Sequence, residues 1–226
     1  IHFAATEASA RRIVRLGERK DRVWVTGAPG LDEIRPSSLP SASATRAKFG
    51  FPARSPLILA VQHSVSTHPE AAAAEMAETL AALDELAQPT VLVYPNSDAG
   101  GRAMIETIER HLERPWLSAH RSLPRNDFLA VMKAATVMVG NSSSGIIEAA
   151  SLHLPVVNVG RRQAGRERSA NTVDVEPRKD KIMRALRKII FDANERKPLA
   201  NVENVYGDGG ASARIVHVLE TIELSG

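Results

Sequence analysis

The chain has 226 residues, of which 43% are hydrophobic and 24% charged, with a formal net charge of +3 and no cysteine. This composition is typical of a globular protein, and it excludes disulfides, thiolate metal sites and a cysteine nucleophile. Charged residues interrupt every apolar stretch before it reaches the ~20 residues that a membrane helix needs, and aromatic residues, at 4%, are too few for a base-stacking surface. We therefore expect a cytoplasmic protein that binds neither nucleic acid nor membrane.

The N-terminal part predicts a helix at residues 6–16, with Thr6 as its N-cap, followed by a short strand at residues 23–26. Residues 31–44 are rich in serine and proline and indicate a linker or surface loop. A short helix is predicted next, at residues 43–49.

Strands and helices alternate from residue 57 onward. Apolar and β-branched runs predict strands at residues 57–62, 90–94, 116–119, 136–139 and 156–159. Helices are predicted at residues 68–87, 101–112, 125–135, 144–151, 179–191 and 211–224. The alternation indicates an α/β fold with a Rossmann-like, doubly wound parallel sheet. Ligands of such sheets bind beyond the carboxyl ends of the strands, so the segments that follow these strands are the place to search.

The segment after the strand at 136–139 has the strongest chemical signal. We call residues 140–148, Gly-Asn-Ser-Ser-Ser-Gly-Ile-Ile-Glu, the serine loop. Ser142, Ser143 and Gly145 would bring hydroxyls and free backbone N–H groups to a helix N-terminus, which suits a phosphate or diphosphate. The Glu148 carboxylate, one turn later, can accept two hydrogen bonds from a ribose diol. The alternative is a capping serine cluster with a solvent-facing glutamate.

Basic and polar residues follow the neighbouring strands. Arg162 belongs to residues 160–168, the arginine loop, in which four arginines stand among glycines; guanidinium groups bind phosphate well, although a solvated basic loop is the alternative. His63 follows the strand at 57–62 and can hydrogen-bond a phosphate, act as an acid or base, or serve the structure alone. Asn96 can face a ligand, whereas Asp98 suits an Asx turn or a helix cap.

Several known catalytic signatures are absent from the sequence. It has no P-loop, no Gly-x-Gly-x-x-Gly after a strand and no Gly-x-Ser-x-Gly elbow, and its seven histidines lack metal-ligand spacing. We therefore predict neither a metal nor another cofactor.

Together these segments resemble the hydrolysing UDP-N-acetylglucosamine 2-epimerases, in particular the branch that feeds sialic acid synthesis. The resemblance extends over nearly the whole chain, and the serine and arginine loops are its most specific parts. Two residues depart from the family pattern: Ser64 replaces the usual proline, and Arg161 stands where small or acidic residues are common. The matching blocks are residues 2–7 with 16–18, 25–29, 62–66, 94–100, 139–148, 155–160 with 162–166, and 206–209.

The resemblance implies the C-terminal, nucleotide-binding half of a glycosyltransferase-B-type fold, in which two Rossmann-like domains face each other across a cleft. Residues 1–40 would be the end of the first domain with its linker, and residues 41–226 the UDP-binding domain with its C-terminal helix. The family removes UDP by anti elimination across C1 and C2 of the sugar to give 2-acetamidoglucal. Water then adds to give N-acetylmannosamine.

The resemblance also assigns roles to individual residues. Ser142 and Ser143 would bind the diphosphate, and Glu148 would hold the ribose. Arg162 and His63 would stabilise negative charge on the leaving diphosphate, and would therefore be the catalytic residues of this half. The full set of expected UDP and sugar contacts is His63, Asn96, Ser142, Ser143, Gly145, Glu148 and Arg162.

The carboxylates that move the C2 proton are expected mainly on the first domain, so we expect the 226-residue chain to be inactive alone. Two other functions stay open: a UDP-sugar glycosyltransferase of the same architecture, and a non-catalytic nucleotide-sugar binding module. The identity of the UDP-N-acetyl sugar and the formation of a homo-oligomer are open as well.

Overall fold

The computed structural model describes residues 1–222 and contains two parallel sheets. The smaller sheet has two strands, β1 (His2–Ala4) and β2 (Val23–Val25), joined by helix α1 (Glu7–Arg15). The hydroxyl of Thr6 accepts a hydrogen bond from the backbone of the first turn, which confirms the predicted N-cap. β1 was not predicted, since its three residues, His-Phe-Ala, lack the β-branched run that marks β2.

Six strands form the larger sheet, namely β3 (Ile58–Val61), β4 (Thr90–Val93), β5 (Leu117–His120), β6 (Val137–Gly140), β7 (Val156–Val159) and β8 (Thr172–Val175). Their order is β5-β4-β3-β6-β7-β8, and every neighbouring pair is parallel. The chain runs outward from β3 to β5 and then returns to place β6 beside β3. This reversal is the switch point at which doubly wound sheets bind ligands, and it confirms the predicted fold class.

The helices after α1 are α2 (Ala42–Lys48), α3 (Ala72–Leu86), α4 (Gly101–Glu109), α5 (Arg125–Ala134), α6 (Ser143–Ile147), α7 (Lys179–Phe191), α8 (Ala193–Ala200) and α9 (Ala211–Thr221). Of these, α3, α4 and α7 cover one face of the larger sheet and α5 the other, whereas α8 packs on α7 and α9 contacts the turn after β2. The last helix was predicted to reach Leu224, which lies outside the described residues. Within residues 1–222 no helix combines the length and the apolar character that crossing a membrane requires.

The core has two layers, one on each face of the sheet. Ile58 and Val139 pack in the layer formed with α3, α4 and α7. Leu59 and Met138 pack in the other layer, with α5. Because successive side chains of a strand alternate between faces, a strand buried on both faces needs an unbroken apolar run. This explains why the central strands could be predicted from sequence.

Besides β1, two further elements were missed, and one helix was predicted to begin too early. The helix predicted at 68–87 becomes α-helical only at Ala72, because Pro69 begins a separate 3-10 turn. α8 was missed because it contains Pro198, a residue that argues against a helix interior. β8 was missed because its sequence, Thr-Val-Asp-Val, is half polar, as its place at the sheet edge permits.

The segment predicted as one helix at 144–151 is divided in two. α6 ends at Ile147, and a 3-10 turn follows at Ala149–Leu152. Glu148 lies at the junction, where its backbone N–H still donates to the Ser144 carbonyl at 2.9 Å. The predicted spacing of one turn is therefore correct, although the continuous helix is wrong.

The N-terminal segment packs against the arginine loop. The Thr6 hydroxyl hydrogen-bonds to the carboxylate of Glu167, and Nη2 of Arg12 donates to the Gly165 carbonyl at 3.3 Å. On the other side of Glu167, its carbonyl accepts from the Tyr206 hydroxyl at 2.9 Å. These contacts hold the arginine loop from both sides. The domain boundary near residue 40 stays a prediction.

Candidate functional site

The carboxyl ends of β3 and β6 approach each other most closely at Gly140. This residue has φ = 126°, and a Cβ atom on it would lie 2.1 Å from the Val61 carbonyl oxygen. Only glycine permits both the backbone conformation and the contact. The sequence thus turns sharply into the serine loop directly beside the loop that follows β3.

A buried asparagine, Asn141, connects three loops at this point. Its side chain accepts a hydrogen bond from the His63 backbone N–H at 2.7 Å and donates one to the His63 carbonyl at 2.9 Å. Its own carbonyl accepts from Nη1 of Arg162 at 3.2 Å and from Nε2 of Gln163 at 2.7 Å. Asn141 is 1% exposed. This role was not predicted, because an asparagine after a strand gives no sign of partners so distant in the chain.

The imidazole of His63 is held in one orientation. Its Nδ1 accepts a hydrogen bond from the Asn96 backbone N–H at 3.1 Å, so the proton of the neutral ring lies on Nε2. Burial, together with the nearby positive charge of Arg162, lowers the pKa of His63 to about 4, against the opposing effect of Asp98. At pH 7 the ring is therefore a neutral hydrogen-bond donor, and its catalytic role stays a prediction.

Asn96 and Arg162 both interact with the carboxylate of Asp98. The Asn96 side chain donates to Oδ2 of Asp98 at 2.7 Å, and Nη2 of Arg162 lies 3.9 Å from the same oxygen. The expected Asx-turn or capping role of Asp98 was wrong: its backbone carbonyl, not its carboxylate, accepts from Gly101, and the N-cap of α4 is Gly100. His63, Asn96 and Arg162 thus belong to one connected cluster, as their positions directly after the predicted strands indicated.

The residues of the serine loop have different roles. Ser142 is the N-cap of α6, because its hydroxyl accepts from the Ser144 backbone N–H at 3.3 Å. Ser143, with Arg162 and Arg166, lines an open cleft of about 310 Å³. The capping interpretation therefore applies to Ser142, while Ser143 faces the cleft.

Gly145 lies on the inner side of α6. A Cβ atom there would lie 3.0 Å from Cγ1 of Val156 on β7, and its N–H donates to the Ser142 carbonyl at 3.2 Å. The glycine lets α6 pack closely on the sheet. Its direct contact with a ligand stays a prediction.

Glu148 does not face bulk solvent, so the alternative of a solvent-facing glutamate was wrong. The residue is 8% exposed, and its Oε1 lies 2.5 Å from Nη2 of Arg125 at the start of α5. Arg125 was missed as a site residue, because it lies 23 positions away and belongs to an ordinary amphipathic helix. The assignment of Glu148 to the ribose stays a prediction.

A second basic cleft, of about 410 Å³, lies beyond the amino ends of the strands, opposite the serine and arginine loops. Two of its arginines contact the carbonyls at helix C-termini: Arg46 donates to the end of α5 at 2.7 Å and Arg196 to the end of α7 at 3.0 Å. Positive charge is favoured at these negative helix ends, which explains the cluster. Among the described residues, no group of three or more histidine, aspartate or glutamate side chains is placed to hold a metal ion.

Comparison with known proteins adds an independent line of evidence. The family model described as UDP-N-acetylglucosamine 2-epimerase matches residues 1–220. Over 223 residues the chain is 37% identical to the hydrolysing UDP-N,N'-diacetylbacillosamine 2-epimerase of Legionella pneumophila, covering 99% of this chain and 58% of that protein. It is 30% identical over 176 residues to the UDP-N-acetylglucosamine 2-epimerase of Neisseria meningitidis, covering 78% of this chain and 46% of that protein.

Among solved structures, the UDP-N-acetylglucosamine 2-epimerase of Neisseria meningitidis bound to UDP-N-acetylglucosamine superposes with a TM-score of 0.76 at 20% identity. The match covers 98% of this chain and 61% of that chain. The fold is thus an α/β, Rossmann-like domain of the glycosyltransferase-B type. The chain spans about half of the length of the relatives it matches.

Proposed function

Because the chain belongs to the UDP-N-acetylglucosamine 2-epimerase family, we propose that its cleft binds the UDP part of a UDP-linked 2-acetamido sugar and contributes to hydrolysing 2-epimerisation. The observation that carries the proposal is the cluster around Asn141, which joins His63, Asn96 and Arg162 at the switch point of the sheet. This is where a doubly wound fold receives a nucleotide.

The diphosphate is proposed to bind between the serine loop and the arginine loop. Arg162 and Arg166 line the cleft on one side and Ser143 on the other. One guanidinium nitrogen of Arg162 is anchored to the Asn141 carbonyl, which leaves the rest of the group to pair with phosphate oxygens. Nε2 of His63 adds a neutral donor. Arg162 and His63 are held by these hydrogen bonds before the ligand arrives, as stabilisation of a developing negative charge requires.

The ribose is proposed to bind at Glu148, the acidic residue that follows these phosphate-binding groups along the serine loop. A carboxylate there accepts hydrogen bonds from vicinal hydroxyls and repels phosphate, so it also sets the direction of the nucleotide. The uridine would then extend towards the start of α5, where Arg125 lies.

In the reaction, UDP leaves C1 as a base removes the C2 proton, and water then adds to the unsaturated sugar. Arg162 and His63 would stabilise the departing diphosphate. His63 is unsuited to be the C2 base, because its Nδ1 already accepts a hydrogen bond from Asn96 and its Nε2 carries a proton. We therefore propose that the base is supplied from outside the 226-residue chain, and that the chain alone does not epimerise.

The substrate class follows from the relatives rather than from the cleft. The Legionella pneumophila protein acts on UDP-N,N'-diacetylbacillosamine and the Neisseria meningitidis protein on UDP-N-acetylglucosamine. Both substrates are UDP-linked 2-acetamido sugars, and we propose this class, with a free 2-epimer and UDP as products. A product of this kind feeds the synthesis of sialic acids and related sugars.

The reaction is tested by incubating the protein with UDP-N-acetylglucosamine in deuterated water, both as the 226-residue chain and together with a first domain of the family. We expect UDP release with deuterium at C2 only in the second case. In that complete enzyme, His63→Ala and Arg162→Ala should each lower kcat by about 10²-fold, the scale of losing one charge-stabilising donor. Turnover only when a sugar acceptor is added would instead identify a glycosyltransferase.

A further inference from the structure

The Arg125–Glu148 ion pair lies apart from the hydrogen bonds around Asn141. Glu148 is 8% exposed, so its carboxylate has lost most of its contact with water. Such a group needs a nearby cation or hydrogen-bond donors. Within residues 1–222, Arg125 is the one partner of this carboxylate, with Nη2 2.5 Å from Oε1. The orientation of Glu148 therefore depends on Arg125.

Arg125 is itself held by a third segment. Its Nη2 also donates to the Gly30 carbonyl at 3.2 Å, and its Nε lies 3.6 Å from the carboxylate of Glu33. Gly30 and Glu33 belong to the turn that follows β2, whereas Arg125 begins α5 and Glu148 follows α6. The guanidinium thus bridges three segments and has a fixed position relative to the serine loop.

The two oxygens of Glu148 differ as a result. Oε1 faces Arg125, whereas Oε2 has no hydrogen bond to any residue of the described chain. A carboxylate fixed through one oxygen presents the other in a constant direction, which lowers the entropy cost of binding a diol. The Arg125 side chain is 39% exposed, so the pair borders the open side of the domain.

We propose that Arg125 is a positioning residue, which acts through Glu148 to select nucleotides with an intact ribose diol. The inference rests on the proposed function, because the ligand of Glu148 is the ribose of UDP. If Arg125 served only to attach the turn after β2 to α5, its loss would weaken every ligand of the cleft alike. The two roles therefore differ in their dependence on the ribose hydroxyls.

The test compares three ligands by calorimetric titration: UDP, 2′,3′-dideoxyuridine diphosphate and inorganic pyrophosphate. For Arg125→Gln we expect the affinity for UDP to fall about tenfold, the scale of one hydrogen bond to a charged group. The affinities for the dideoxy analogue and for pyrophosphate should change less than about twofold, because neither ligand has the diol. Arg125→Lys, which keeps the positive charge, should recover part of the loss.

Two controls separate the positioning role from general damage. Arg187→Gln removes a charge from an exposed position on α7 and should leave all three affinities unchanged. In a Glu148→Gln background, Arg125→Gln should cause no further loss of UDP affinity, because a residue that acts through Glu148 has nothing left to position. Urea unfolding of each variant shows whether it folds; should Arg125→Gln fail to fold, Arg125→Lys is compared with the unaltered chain on the same ligands.

The possible failures are distinguishable. If the unaltered chain binds UDP no better than the dideoxy analogue, the ribose assignment of Glu148 is wrong and this proposal falls with it. If the unaltered chain shows the preference and Arg125→Gln keeps it, the positioning role alone is wrong. An equal loss for all three ligands, or an additive loss in the Glu148→Gln background, also overturns it.

Discussion

At one end of the proposed nucleotide site the uncharged Asn141 holds His63 through its side chain and Arg162 through its backbone carbonyl, whereas at the other end an ion pair, Arg125–Glu148, fixes the acidic group. We call these the His63 end and the Glu148 end. Because a backbone carbonyl carries no net charge, it orients Arg162 without neutralising it. The nearest carboxylate, Asp98, is 3.9 Å away and already accepts a hydrogen bond from Asn96.

This difference corresponds to the two tasks proposed for the site. A developing diphosphate charge needs cations and donors whose charge is still available, which a neutral scaffold provides. A ribose diol is uncharged and needs an acceptor in a fixed direction, which an ion pair provides. Substitutions at the two ends should therefore affect different ligands, and the following predictions begin with the largest effect.

Gly140→Ala should have the largest effect, because it disturbs the junction from which both ends are built. The new Cβ would lie 2.1 Å from the Val61 carbonyl oxygen, and we expect a loss of more than about 4 kcal/mol in the free energy of unfolding, or failure to fold. Gly160→Ala is the matched control. Its φ of 74° is also left-handed, but no atom lies within 4 Å of the added Cβ, so a loss of only about 1–2 kcal/mol is expected. Urea unfolding measures both, and equal losses would contradict the steric argument.

Asn141→Ala should selectively disrupt the His63 end. It leaves the backbone N–H and carbonyl of His63 without their partners, and we expect unfolding to become easier by about 2–4 kcal/mol. Pyrophosphate binding should weaken together with UDP binding, since both depend on this end. Asn158→Ala is the control, because that asparagine is equally buried but bonds Asp174 on β8. If the two variants lose pyrophosphate affinity alike, Asn141 has no special role in the cleft.

Glu148→Gln should selectively weaken the Glu148 end. Replacing a charged acceptor that two hydroxyls share should reduce the binding free energy of UDP by about 1–3 kcal/mol. Pyrophosphate has no ribose, so its affinity should stay the same. Calorimetry with both ligands checks this, with Glu85→Gln on the exposed surface of α3 as a control. A parallel loss of both affinities would show that Glu148 has a structural role.

The last prediction concerns pH and sharpens the description of the His63 end. The pKa of His63 is lowered by burial, and also by Arg162, to about 4, below the ordinary value of about 6.5. The unfolded chain therefore binds more protons in this window, so this contribution to stability is present above pH 6.5 and is lost as the pH falls through about 4. Replacing His63 with Asn should flatten the dependence of the unfolding free energy between pH 4 and 7. An unchanged slope would mean that the imidazole is not desolvated.

Five of the six strands of the larger sheet, and the polar loops that follow them, could be predicted from the sequence, because apolar runs and chain order are local properties. The positions of His63, Asn96 and Arg162 directly after predicted parallel strands indicated that all three lie beyond the carboxyl ends of the sheet. The roles of Asn141 and Arg125 were not predictable, because each depends on partners between 21 and 95 positions away. α8 was missed for a different reason: proline is rare in the interior of a helix, so Pro198 argued against one.

Titration of the unaltered chain with UDP tests the central claim most directly. We predict saturable binding of one UDP, with competition by pyrophosphate and a weaker affinity than that of a complete enzyme of the family. In an NMR experiment, the side-chain signals of His63 and Arg162 should shift with the same dissociation constant. A folded chain that shows neither heat nor a shift at millimolar UDP would contradict the account.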